Sequence, residues 1–240
     1  CIQFCRYILN LLEMNAQVII EVSPSLKKLV ETISQKVQVV SRGETFETCD
    51  YQIPVMSLAL AFKTNLNNIP KKIPYFNIPD DLVKDWSIKL GPKKKPRIGL
   101  TWSGNPNFKK DKIRSISLKI LEPILSDKFE FLCLQKEIRK EDLSYLKNSK
   151  IKNFGNENFL NTAAIIKNTD LVISTCTSMV HLSGAIGSPT WLLLSYVADW
   201  RWLTERNYSP WYPTIKIFKQ KKMGEWDGVI QEIKKELVNF

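Results

Sequence analysis

Apolar residues in this chain recur in two rhythms, short unbroken runs and stretches spaced three to four apart. The first marks buried strands and the second amphipathic helices. In the first part, the spacing predicts a helix over Ile2–Met14, a strand over Gln17–Val22, a helix over Ser25–Gln35 and a short strand over Val37–Val40. Tyr51–Met56 alternates like a further strand, and Leu58–Phe62 reads as a short helix. Asn65–Pro79 holds three prolines and reads as loop, and Asp80–Leu90 as a charged amphipathic helix. "GPKKKP", Gly91–Pro96, can neither extend a helix nor join a core, which predicts a linker.

After it the rhythm is more regular. Strands are predicted at Arg97–Trp102, Phe129–Leu134, Ile151–Phe154, Leu171–Ser174, Thr190–Leu194 and Thr214–Phe218. Helices are predicted at Leu118–Leu125, Lys140–Lys147, Asn161–Asn168, Thr177–Ile186 and Trp226–Phe240. Strand and helix in alternation imply parallel strands joined by helical crossovers, an α/β fold. Two such halves leave a cleft between them, and ligands of open parallel sheets sit at the carboxyl ends of the strands.

Composition narrows the function classes. The 240 residues are 44% hydrophobic and 25% charged, as in a globular chain. No apolar run reaches the ~18 residues of a membrane span, and the first residues are too polar for a signal peptide. The five cysteines are odd in number and scattered, and the lone histidine allows no zinc constellation. Reduced thiols in a cytosolic compartment are the expectation. The net charge of +11 is spread over many faces, which argues against nucleic acid and suits a polyanionic ligand or an acidic membrane surface.

Candidate chemistry follows the strand ends. "WSGNPNFKKDKIRSIS" supplies a turn at Gly104, Asn105 and Pro106, then cations up to Arg114, then Ser115 or Ser117 to cap a helix. It reads as a phosphate loop or as a solvated basic loop. In "LCLQKE", Gln135 stands where a side-chain amide can meet a base edge and Lys136 where it can meet a phosphate; a plain turn is the alternative.

"DLVISTCTSMVHLSGAIGSPTWLLL" ends a strand in hydroxyls just where a helix starts. A helix N-terminus offers about four free N–H groups and a partial positive charge. Thr175, Thr177 and Ser178 add hydroxyls, with nothing acidic to repel an anion. Helical spacing sets Thr177, His181 and Gly184 on one face. His181 is expected to be neutral under the helix dipole, bonding either a ligand oxygen or a backbone carbonyl, and Gly184 to admit a close neighbour. Cys176 at a helix start could be a thiol of lowered pKa, but with no second histidine to activate it a nucleophile is not expected. The aromatics of Ser195–Pro213 suit sugar stacking or the packing of a long loop.

Together "RIGLTWSGNP…RSI", "LCLQKE", the 170–194 block, "DWRWL" and "SPWYPTIKIF" resemble the glycosyltransferase-like region that follows tetratricopeptide repeats in bacterial proteins. That region is similar to glycosyltransferase family 9, the heptosyltransferase-like group, and more distantly to O-linked N-acetylglucosamine transferases. The resemblance implies a GT-B fold of two Rossmann-like domains with parallel sheets. Residues 1–90 would form the acceptor-side domain, 91–96 the linker, 97–224 the nucleotide-sugar domain, and 225–240 a helix crossing back.

It implies transfer of sugar from a nucleoside-diphosphate sugar to an acceptor hydroxyl on a glycan, lipid-linked or protein acceptor. No metal and no cofactor beyond that substrate is expected. Ser103, Gly104, Asn105, Arg114, Gln135, Lys136, Thr175, Thr177, Ser178 and His181 would hold the donor. A cytoplasmic setting, peripheral at the inner membrane, and upstream tetratricopeptide repeats also follow from the resemblance. Family members carry a strand and a Gly-Asp loop, home of the expected base, just before "IQFCRY", so the first domain is expected to be truncated. They also carry an acid where this chain has Cys176. A non-catalytic GT-B binding module is the alternative; a nucleotide-sugar epimerase and a scaffold are more distant ones.

Overall fold

The computed structural model describes residues 1–155, 157–203 and 205–240. The first part opens with a 3-10 helix, Ile2–Arg6, running into α1 (Tyr7–Glu13). β1 (Val18–Val22), α2 (Pro24–Val30) and β2 (Val37–Ser41) follow, and the two strands pair in parallel, Val18 opposite Val37. Proline at the first position of α2 presets the helical φ. The expected strand over Tyr51–Met56 does not form. Pro54 interrupts it, Tyr51 is 93% exposed, and only a 3-10 turn at Val55–Ser57 precedes α3 (Leu58–Ala61). Alternation without a neighbouring strand to pair with is not enough.

α4 spans Asp80–Leu90, with two acids in its first turn, Lys89 in its last and Gly91 at φ 78° ending it. The segment 91–96 is irregular and leads into the second sheet. Its elements are β3 (Arg97–Thr101), α5 (Asp111–Arg114), a 3-10 helix at Leu118–Ile124, β4 (Glu130–Cys133), α6 (Lys140–Asn148), α7 (Phe159–Lys167), β5 (Leu171–Thr175), α8 (Ser178–Ala185), β6 (Thr190–Leu194), a 3-10 turn at Trp200–Trp202, β7 (Ile215–Lys219) and α9 (Asp227–Val238). Pro123 keeps Leu118–Ile124 from becoming the expected α-helix. The expected strand at Ile151–Phe154 shrinks to one bridge between Leu132 and Lys152.

The second sheet is wholly parallel, in the order β4-β3-β5-β6-β7. β3, β5 and β6 are buried at every residue, as strands covered on both faces must be. The chain leaves β3 toward β4 on one side and later returns to β5 on the other, so strand order reverses between β3 and β5. A crevice opens at the carboxyl ends of strands at such a point.

One hydrophobic core runs through both parts. It joins Ile8, Val22, Leu29, Tyr75 and Trp86 to Ala163, Ile166, Val180, Leu192 and Trp202. Trp86 of α4 donates to Asn161 Oδ1 (2.9 Å), and Asn168 Nδ2 of α7 donates to the Val83 oxygen (3.0 Å). A second core lies on the other face of the large sheet, where Val229, Ile230, Ile233 and Leu237 of α9 cover Ile98, Leu118, Leu121 and Phe218. α9 therefore packs on the second sheet. The helix expected to cross back to the first part does not do so, because its apolar face is spent there. Among the described residues, no helix is long and apolar enough to cross a membrane.

Candidate functional site

The carboxyl ends of β3 and β5 are adjacent, with Thr101 opposite Ser174. Beyond Thr101 the chain turns sharply, and Gln135 braces the turn. Its Oε1 accepts from the Trp102 and Ser103 amides (3.1 and 3.0 Å), and its Nε2 donates to the Ser103 and Glu137 oxygens (2.8 and 3.0 Å). All four hydrogen-bonding places of the amide are filled. Gln135 thus shapes the loop and has no capacity left for a base edge, contrary to the expectation. Lys136 beside it is half-buried, its ammonium 5.1 Å from the Phe159 ring centroid, and burial lowers its pKa.

The basic loop folds back on itself. Asn105 is exposed and its Oδ1 accepts from the Asn107 amide, an Asx turn (2.8 Å). The Gly104 amide donates to Ser115 Oγ (2.9 Å). Neither serine caps the next helix, since buried Asp142 takes the Leu118 amide (2.8 Å) and also Trp102 Nε1 (2.8 Å). Arg114 crosses to the far side of the crevice, where its Nη1 donates to the Cys176 oxygen (2.8 Å). Its Nε bonds buried Asp111 (3.2 Å), and Phe108 lies against the guanidinium, 4.6 Å from carbon to ring centroid. Gly104 makes room here: a Cβ would overlap Arg114 Nη2 and Asp111 Oδ1, so those side-chain ends would have to shift. Arg139, at the start of α6, pairs with the same aspartate. Sequence reasoning missed Arg139. The signal was available, since it follows β4 just as Arg114 follows β3.

On the β5 side, Thr177 caps α8, its Oγ1 accepting from the Met179 amide (3.3 Å), and Ser178 is exposed at the first helical position. Two site hydroxyls are left over. Ser103 Oγ and Thr175 Oγ1 are buried without a hydrogen-bond partner, as is Thr101 Oγ1 at the end of β3. A buried hydroxyl without a partner is costly.

His181 lies one turn into α8. Its ring stacks on Trp202 (centroids 5.3 Å apart, 19° between planes), and Nδ1 meets the Tyr212 hydroxyl at 3.1 Å. The imidazole is neutral as expected, but burial rather than the helix dipole is the main cause. Burial, helped by Arg201, pushes its pKa down to about 3. The close neighbour admitted by Gly184 is Tyr212, which a Cβ would approach to 2.6 Å. Cys176 is no activated nucleophile. Burial raises its pKa, and its sulfur accepts from Trp202 Nε1 (3.1 Å). The aromatic segment divides, with Trp202, Trp211 and Tyr212 in the core and Tyr196, Trp200 and Tyr208 exposed.

An open hollow of about 530 Å³ lies at the opposite ends of β3 and β5, beside Lys93, Arg97, Lys167 and Asp170. Lys93 there pairs with Asp170 and Arg97 with Glu130, and the end of the sheet is the wrong one for a ligand.

The heptosyltransferase II of E. coli (ADP-heptose LPS heptosyltransferase II) overlays on 99% of the chain and 94% of its own, with TM-score 0.60 and 8% identity. The chain shares the heptosyltransferase fold. A family 9 glycosyltransferase from Veillonella parvula aligns over 100% of the chain and 77% of its own at TM-score 0.48 and 9% identity. In sequence, Protein FlbA of Caulobacter vibrioides is 24% identical over 213 residues, 82% of this chain. The chain spans about a third (34%) of that relative's length. No family model matches the chain.

Proposed function

We propose that this chain is a glycosyltransferase module that takes a nucleoside-diphosphate sugar at the carboxyl ends of β3 and β5 and passes the sugar to an acceptor hydroxyl. The carrying observation is the pair of buried, unpartnered hydroxyls, Ser103 Oγ and Thr175 Oγ1, on either side of the strand reversal. Beside them stand Arg114, Arg139 and the start of α8. Unsatisfied donors, two guanidinium groups and free helix amides fit a pyrophosphate.

As the glycosidic bond stretches, negative charge gathers on the leaving diphosphate. Arg114, Lys136 and the Thr177–Ser178 helix start would stabilise it without a metal ion. Gly104 and Asn105 would line the donor, and His181 would bond a diphosphate or ribose oxygen. The acceptor would be a glycan, a lipid-linked sugar or a protein rather than nucleic acid, and its deprotonation would need a base from the first part or upstream of Cys1. A cytoplasmic chain peripheral to the inner membrane, with upstream tetratricopeptide repeats, fits the same reading.

One observation favours a second reading. Where the resembling family has an acid, this chain has Cys176, a neutral thiol held by Trp202. A binding module without turnover would carry that change. Calorimetric titration with ADP, UDP and GDP tests both. Binding of one diphosphate is expected, weakened roughly tenfold by each of Ser103→Ala and Thr175→Val, the scale of one hydrogen bond. No binding of any diphosphate rejects both readings. Binding without hydrolysis or transfer from the matching nucleotide-sugars selects the second.

A further inference from the structure

The two nitrogens of the His181 ring meet different fates. Nδ1 faces the Tyr212 hydroxyl, whereas no hydrogen bond from a described residue reaches Nε2. Trp202 stacked on its face and Tyr212 packed against Gly184 leave the ring little freedom to turn. The direction of the hydroxyl proton therefore decides which nitrogen carries the ring hydrogen.

The surroundings of Tyr212 set that direction. Its ring centroid lies 4.9 Å from the guanidinium carbon of Arg6, which also faces Tyr75 (5.3 Å) and Trp211 (5.4 Å). Arg6 is 1% exposed, and it bonds backbone oxygens rather than a carboxylate, Gln3 O at 3.0 Å and Pro70 O at 3.1 Å. A guanidinium has donors only. A buried cation beside a phenol draws the oxygen lone pairs toward itself and turns the proton away. The Tyr75 hydroxyl already donates to the Ile2 oxygen (3.1 Å). Apart from the Tyr75 oxygen, which faces the same guanidinium, Nδ1 of His181 is the acceptor within reach.

We infer that Tyr212 is a positioning residue whose hydroxyl donates to Nδ1 of His181, fixing the Nε2–H tautomer so that the imidazole is a standing donor to an oxygen of a nucleoside diphosphate. The purpose rests on the reading above; the tautomer does not. The groups facing the ring are Tyr212, Arg6, Arg201, Asp199 and the amino group of Cys1. Burial holds the Tyr212 phenol up at about 12 and the imidazole down at about 3, so neither changes charge between pH 5 and 8.

Because the chain has one histidine, nitrogen NMR of the ¹⁵N-labelled protein reads this ring alone. The parent is expected to show Nε2 protonated and Nδ1 unprotonated, unchanged from pH 5 to 8. Tyr212→Phe should give a mixture of tautomers and bind the preferred diphosphate of ADP, UDP and GDP roughly tenfold less tightly. His181→Gln, which keeps a donor near Nε2, should bind better than His181→Asn, which does not. A protonated Nδ1 in the parent overturns the inference, as does a Tyr212→Phe ring with unchanged tautomer. A shifted tautomer with unchanged affinity overturns the positioning role. If the parent binds no diphosphate, the site reading and the role fall together, while the NMR result still decides the tautomer. Dispersed amide spectra of both His181 variants keep the comparison valid should Tyr212→Phe fold poorly.

Discussion

Arg114 donates to the backbone oxygen of Cys176 across 2.8 Å, linking the loop after β3 to the start of α8. One guanidinium thus both bridges the crevice and charges it. Arg114→Lys keeps the charge but loses the planar fork. Calorimetry with the preferred nucleoside diphosphate should show Arg114→Ala weaker by roughly 10- to 100-fold, with Arg114→Lys between it and the parent. Equal affinity for all three would remove Arg114 from the site.

Gly104→Ala puts a methyl group into Arg114 Nη2 and Asp111 Oδ1. The arginine must move, so the affinity should fall toward that of Arg114→Ala. Overpacking of this kind costs about 1–3 kcal/mol, read as a lowered unfolding midpoint. Unchanged binding with lowered stability would mean that the loop matters to the fold alone.

Gln135→Leu strips the brace from the Trp102–Ser103 turn and leaves buried amides without acceptors. Urea unfolding should show a loss of about 2–4 kcal/mol. The discriminating result is the nucleotide preference. If Gln135 braces rather than reads, any loss of affinity is shared evenly among ADP, UDP and GDP. A loss confined to one base restores the recognition role.

Stability should fall on mild acidification because of His181. Its folded pKa, about 3, lies below the ordinary 6.5. The unfolded chain therefore takes up a proton that the folded chain refuses. The stabilisation is fully present above pH 6.5 and is lost as pH falls from there toward 3. One proton sets the slope, at most about 1.4 kcal/mol per pH unit. Denaturant titrations between pH 7 and 5 should show it in the parent and not in His181→Gln. A flat parent profile would mean that the folded ring takes up its proton as readily as the unfolded one.

Elements whose causes are local were legible. α4 begins and ends as read, because Pro79, paired acids and Gly91 mark its bounds within the segment itself. β5 and β6 were equally plain from unbroken apolar runs. Misreadings arose where a distant partner decides. Tyr51–Met56 has a strand's alternation and no strand beside it. The crossing helix went astray because 227–238 has one apolar stripe and two surfaces it could have covered. At the site, the hydroxyls and Arg114 were visible at strand ends. Tyr212, 31 positions beyond His181, and Arg6, near the other end of the chain, gave no sign that they converge on one ring.

The shared core carries a consequence for how the molecule can be divided. Cleavage within 91–96 would cut the backbone where it is irregular, yet Trp86 would still sit against Asn161 and Tyr75 near Tyr212. Each fragment would bare the apolar face that the other covers. Such pieces should reassemble as an obligate heterodimer on mixing, and neither should be exchangeable as a free-standing cassette.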